Sequence, residues 1–111
     1  MRFDIMTLFP EQVENFLRTS IIGRALQKNL FELYCHNIRD YTTNKQKQVD
    51  DYPYGGGKGM VMQAQPIWDC YRAICKQVKN PYVIYLSPKG RRFTQTRAKR
   101  LKKHENIILL C

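Results

Sequence analysis

At 111 residues the chain has room for one small domain with a core of its own. Hydrophobic residues make up 43% and charged residues 25%, ordinary globular usage that excludes global disorder. The longest apolar runs are four or five residues, too short for a membrane span or a secretory signal, so the expected setting is the cytoplasm.

The charge balance is 19 Lys and Arg against 9 Asp and Glu, a net +10. Most of the excess is local. Lys89, Arg91, Arg92, Arg97, Lys99, Arg100, Lys102 and Lys103 lie in one stretch without an acid. The remaining cations, 19 less those eight, nearly balance the 9 acids elsewhere. A concentrated basic segment fits either a polyanionic partner such as nucleic acid or a solvated helix face. Cys35, Cys70, Cys75 and Cys111 include no Cys-x-x-Cys pair, and His36 and His104 have no metal-ligand spacing around them. Reduced thiols and no metal site are expected.

In chain order, Arg2–Phe9 reads as a buried strand, and Pro10 followed by Glu11 opens a helix with Val13, Phe16 and Leu17 at helical spacing. Ser20 caps a second helix whose apolar residues are Ile21, Ile22, Ala25, Leu26 and Leu30. Phe31, Leu33 and Cys35 alternate with Glu32, Tyr34 and His36, a strand pattern. Arg39 to Gly59 is a long polar stretch without periodicity, of the kind that is functional or mobile inside a small domain. Pro66 opens a helix whose stripe is Ile67, Cys70, Tyr71, Ile74, Cys75 and Val78, closed by Asn80–Pro81. Tyr82–Leu86 reads as a buried strand, Thr94–Lys103 as a basic helix with Ala98 and Leu101 inward, and Asn106–Cys111 as a last strand. The alternation predicts an α/β fold, a mostly parallel sheet with helices on both faces, over residues 1–111 as a single domain.

Two segments are candidates for binding. Gly55, Gly56, Gly57 and Gly59 flank Lys58 ahead of Met60, and glycines this dense let a ligand approach the main chain. No Gly-Lys-Ser/Thr ends the run, so it is not a Walker A loop, and a flexible connector would look much the same. Leu86-Ser87-Pro88-Lys89-Gly90-Arg91 joins a strand to a helix, where α/β folds bind nucleotide-like ligands, although an ordinary connection is the plainer reading. No catalytic constellation stands out. Asp50 and Asp51 read as turn or cap residues, neither histidine has an evident partner, and Cys70, Cys75, Trp68 and Tyr71 read as packing.

Several fragments together resemble the bacterial tRNA (guanine-N1)-methyltransferases of the TrmD type. They are Met1–Pro10, Ser20-Ile21-Ile22-Gly23-Arg24-Ala25, Asp50–Met62 with its Asp-Asp-Tyr-Pro-Tyr-Gly-Gly-Gly core, and Tyr85-Leu86-Ser87-Pro88-Lys89-Gly90-Arg91. The similarity runs over all 111 residues, with Lys58 departing from the expected proline or alanine. The resemblance implies methyl transfer from S-adenosylmethionine to N1 of the guanosine 3′ of a tRNA anticodon. It also implies a SPOUT-type trefoil-knot domain and a homodimer, with tRNA rather than DNA as partner. Matched by motif, Tyr85, Leu86, Ser87, Pro88 and Gly90 are the expected cofactor contacts. Gly55, Gly56, Gly57, Gly59 and Met60 are expected near the cofactor and the target guanine. The basic helix after Pro88 fits a tRNA-facing or a dimer-adjacent surface, and its charge makes Arg97 and Arg100 the expected RNA contacts. The family's catalytic aspartate and stabilising arginine lie downstream, so no catalytic residue is expected within these 111. The chain then reads as an N-terminal portion, truncated before the knot closes, inactive alone and a weak cofactor binder. A basic RNA-binding domain without chemistry is the alternative.

Overall fold

The computed structural model describes residues 1–43, 49–51 and 61–111. Strand β1 (Arg2–Thr7) is followed by helices α1 (Pro10–Arg18) and α2 (Ile21–Gln27), then strand β2 (Glu32–Asn37). After a single 3-10 turn at Ile38–Tyr41 come two short strands, β3 (Asp50–Asp51) and β4 (Val61–Met62). Helix α3 (Ala64–Cys75), strand β5 (Tyr82–Tyr85), helix α4 (Gln95–Leu101) and strand β6 (Asn106–Leu110) complete the order. The main sheet runs β2-β1-β6-β5 with every pairing parallel. The α/β expectation therefore holds.

Successive side chains of a strand point to opposite faces, which separates the core into two layers. On one face Met6 of β1 and Ile108 of β6 are buried with Ile38 and with Cys70, Ile74 and Val78 from α3 and the turn after it. On the other face Ile5 and Ile107 are buried, and Cys35 faces Glu14 and Arg18 of α1. Helices cover both sides, so β6 is apolar after Asn106, while β1 sets the apolar Phe3, Ile5 and Met6 among the polar Arg2, Asp4 and Thr7.

Several local readings change. Pro66 stands in the first turn of α3 rather than at its first residue, which costs nothing because the amides there have no intrahelical acceptor. The helix ends at Cys75, and Asn80 turns the chain with φ of 49°. Asp50 and Asp51, expected in a turn, pair antiparallel with Val61 and Met62. Tyr82–Leu86 is not buried, because β5 is the sheet's edge. Phe16 and Ile21 point to solvent, 74% and 81% exposed. Ser20 caps α2 as expected, its Oγ accepting the Ile22 amide at 3.3 Å. The glycine in Ser-Ile-Ile-Gly has a plain reason. A Cβ on Gly23 would lie 2.1 Å from the Arg18 carbonyl oxygen, so only glycine lets α2 fold back against the end of α1.

Among the described residues one charged side chain is wholly buried. The Asp4 carboxylate accepts from Arg2 Nε at 2.9 Å and Arg2 Nη2 at 3.1 Å, and His36 Nε2 lies 2.7 Å from its Oδ1. An ionised carboxylate can only accept, so Nε2 carries the proton in this pair. Arg2 also reaches Gln77 Oε1 at 3.0 Å and lies over the Tyr34 ring. Among the described residues no buried side-chain polar atom lacks a partner. Burial pushes the Asp4 carboxyl up, but the hydrogen bonds from His36 and Arg2 outweigh it and hold it below the ordinary 3.8. Its contribution to stability is therefore complete above pH 3.8 and is lost as pH falls through the lowered value. Asp4→Ala leaves two donors unpaired beside the core and should cost about 3 kcal/mol in urea unfolding at neutral pH, with the gap to wild type closing on acidification.

Candidate functional site

The carboxyl ends of three strands are shaped by the same local device. Thr7 Oγ1 accepts the Phe9 amide at 3.1 Å, Asn37 Oδ1 accepts the Arg39 amide at 3.0 Å, and Ser87 Oγ accepts the Lys89 amide at 3.2 Å. Each side chain turns the chain out of the sheet without leaving an amide unpaired. In parallel sheets this end is where ligands bind.

At β5 the turn is the most open. The Leu86 amide donates to Leu110 O at 3.1 Å, the last tie to the sheet, and the Gly90 amide closes the turn on Ser87 O at 3.0 Å. Pro88 has the fixed φ that suits the second position of such a turn. A Cβ on Gly90 would come within 3.2 Å of Ser87 O, so glycine keeps the turn tight. The Ser87 oxygen is used by Lys89, which leaves its hydroxyl proton free to donate. Tyr85 is 69% exposed and Leu86 is exposed beside it.

Beside the turn lies a cleft of about 460 Å³, within the range that holds small ligands. Its walls are Ile84, Leu86, Ser87 and Gly90 on the sheet side and Phe93, Arg97, Arg100 and Leu101 on the other. Tyr82 and His104, stacked with centroids 4.3 Å apart, close its far end. Among the described residues no carboxylate lines it. A larger, shallower depression of about 580 Å³ sits at the amino ends of the strands, where α/β folds seldom bind.

Helix α4 holds the basic side of the cleft. Thr94 Oγ1 accepts the Arg97 amide at 3.3 Å, capping the helix. The Thr94 carbonyl accepts the Ala98 amide. None of its residues is fully buried, and Ala98 and Leu101 are only half-covered. Arg97, expected at the surface, is half-buried along the cleft, while Arg100 is exposed.

The structure thus brings Tyr85, Leu86, Ser87 and Gly90 together with Arg97 and Arg100 around one cleft. Gly55, Gly56, Gly57, Gly59 and Met60 lie outside the described residues. Both histidines have partners that sequence did not reveal, Asp4 for His36 and Tyr82 for His104. Cys70 is core as expected, burial pushing its thiol up to about 12, whereas Cys75 is half-buried. Trp68, read as packing, is exposed. Its position could have been read from the helix, since two residues from buried Cys70 means about 200° around the axis. Among the described residues no group of three or more His, Cys, Asp or Glu could hold a metal, and no helix is long and apolar enough to cross a membrane.

The family described as tRNA (Guanine-1)-methyltransferase TrmD matches residues 1–111. The chain belongs to the TrmD family. The tRNA (guanine-N(1)-)-methyltransferase of Clostridioides difficile (strain 630) is 52% identical over 113 residues, covering 100% of this chain and 49% of that protein. That of Clostridium botulinum (strain Hall) is 54% identical over 111 residues, covering 100% of this chain and 45% of that protein. A crystal structure of tRNA (m1G37) methyltransferase from Aquifex aeolicus matches with a TM-score of 0.91 at 32% identity, covering 100% of this chain and 50% of that one. The chain spans about half the length of the curated TrmD relatives it matches.

The cap at Thr94 sets where Arg97 stands. Thr94→Ala should loosen the first turn of α4 by about 1 kcal/mol, seen as roughly fivefold faster amide exchange there, and Thr94→Asp should restore protection.

Proposed function

We propose that residues 1–111 form the α/β unit that seats the methyl donor in a tRNA (guanine-N1)-methyltransferase. The donor is S-adenosylmethionine, and the acceptor is N1 of the guanosine 3′ of the anticodon. The observation that carries the reading is the open Tyr85–Gly90 turn at the carboxyl end of β5, beside a cleft whose described walls are apolar and cationic. Family membership supports the same assignment.

The residues present fit such a ligand. Leu86 and Ile84 offer apolar surface to a purine ring, the Tyr85–Gly90 backbone can read its edge, and Ser87 keeps a proton for a ribose oxygen. When bound, the donor supplies a methyl group already activated on a sulfonium. The chain's own work is then positioning, which can supply much of the acceleration. Arg97 and Arg100 hold backbone phosphates of the RNA, and the loop of Gly55, Gly56, Gly57, Gly59 and Met60 lies against the guanine. Guanine N1 carries a proton, so transfer also needs a base and a cation near O6. Among the described residues no carboxylate lines the cleft, which suits a base supplied from elsewhere in the enzyme. The complete enzyme works as a cytoplasmic homodimer whose SPOUT-type knot these residues begin.

One titration series tests the reading. Adding S-adenosylmethionine to the isotope-labelled chain should shift amides of residues 85–90 weakly and without saturating at micromolar donor, because the half-open cleft cannot enclose the ligand. Adding tRNA should give salt-sensitive binding, and Arg97→Ala with Arg100→Ala should flatten the log–log salt slope by roughly 0.7–0.9 per lost contact. Donor shifts centred elsewhere would overturn the cofactor assignment. RNA binding with no donor response anywhere would favour a basic RNA-binding domain without chemistry.

A further inference from the structure

Helix α3 has two faces of opposite character. Pro66, Cys70 and Ile74 are buried in the core. The outer face carries Trp68, Arg72 and Lys76 at successive four-residue steps, with Tyr71 beside Trp68. Trp68 is 57% exposed, leaving more than half of a very large apolar side chain in water. The Trp68 and Tyr71 rings lie 5.7 Å apart and 32° from parallel, with Tyr71 half-buried against the core and Trp68 the exposed member of the pair. Arg72 and Lys76 are exposed, and no ion pair among the described residues engages either. The helix's one acid, Asp69, is turned to the Gln65 amide, 2.5 Å from its Nε2.

The position of this face matters as much as its chemistry. Helix α3 runs opposite to the strands: Gln65 donates to Tyr41 O, just past the carboxyl end of β2, while Gln77 meets Arg2 at the amino end of β1. Trp68 therefore stands toward the carboxyl end of the sheet, the end that carries the Tyr85–Gly90 turn.

Aromatic rings interleaved with unpaired cations suit unpaired nucleotides, whose bases stack on the rings while phosphates meet the charges. A second copy of the chain fits poorly. A two-fold contact would place each patch on itself and gather four cations with no counter-charge. A polyanion without bases would engage Arg72 and Lys76 and leave the rings uncovered. We infer that the outer face of α3, centred on Trp68, is a stacking platform for single-stranded nucleotides of the RNA substrate. The inference rests on RNA being the substrate, and it adds a contact surface separate from the cleft and from α4.

Trp68 is the only tryptophan in the chain, so its emission reports on this face alone. A short single-stranded oligoadenylate, labelled so that anisotropy measures binding independently, should quench Trp68 emission with the same midpoint as the anisotropy rise. Trp68→Ala should weaken binding roughly fivefold or more, Trp68→Phe should retain most of it, and Arg72→Ala with Lys76→Ala should flatten the salt slope. A blunt RNA duplex of equal length should quench far less. Binding with unchanged emission, or with Trp68→Ala equal to wild type, would overturn the platform and leave the RNA reading standing. An absence of binding altogether would overturn both. Quenching that grows with protein concentration in the absence of RNA would assign the face to a second copy and overturn the platform.

Discussion

A carboxylate without access to water is expensive to keep ionised, and the fold is arranged so that Asp4 never lacks its partners. The guanidinium fork of Arg2 and the ring nitrogen of His36 fill its acceptor sites from both sides. These contacts fix more than one charge. Asp4 lies in β1, the strand between β2 and β6, and His36 lies in β2. A one-residue slip of β2 would turn His36 to the other face of the sheet and strand the carboxylate. Arg2 carries the constraint onward to Gln77, at the end of α3, and so sets that helix against the sheet.

With β1 held in register, the carboxyl ends of its neighbours come level, and the groups that turn the chain there gather on one edge of the molecule. Thr7, Asn37 and Ser87 each spend a side-chain oxygen on an amide two residues ahead. The first two turns lead into helical segments, whereas the third opens onto a cleft whose far wall is the capped basic helix α4. Cationic and aromatic groups lie near this end from two directions, Arg97 and Phe93 along the cleft and Trp68 on α3. The cleft and the Trp68 face thus lie toward the same end of the sheet.

The elements that were legible in sequence are those whose signal is local. β6 read correctly because a strand covered on both faces is almost wholly apolar, β1 because Phe3, Ile5 and Met6 stand out among its polar residues, and α3 because its core stripe keeps helical spacing. The Tyr85–Gly90 motif pointed to the turn that the fold leaves open, and the Ser20 cap was visible as a residue type, whereas Thr94, read as the first helical residue, proves to be the cap of α4. Two of the failures depended on distant parts of the chain. Tyr82–Leu86 has the composition of a buried strand, and only the order β2-β1-β6-β5 makes it an edge. His36 and Asp4 are 32 residues apart and meet through the β1–β2 register, which no spacing rule encodes. Asp50–Asp51 and Val61–Met62 are too short to show a period. Trp68 was misread because its residue type suggests burial, although its place on the helix opposes that.

On the proposed reading, ligands meet this chain at the carboxyl end of its parallel sheet. Amide hydrogen exchange of the chain with and without tRNA tests it most directly, because both ends of the sheet are read in one experiment. Slowed exchange should appear in residues 64–72 and 85–97, while residues 29–32, 77–79 and 105–106 around the opposite depression should exchange as in the free chain. Protection confined to that amino-end depression would contradict the account.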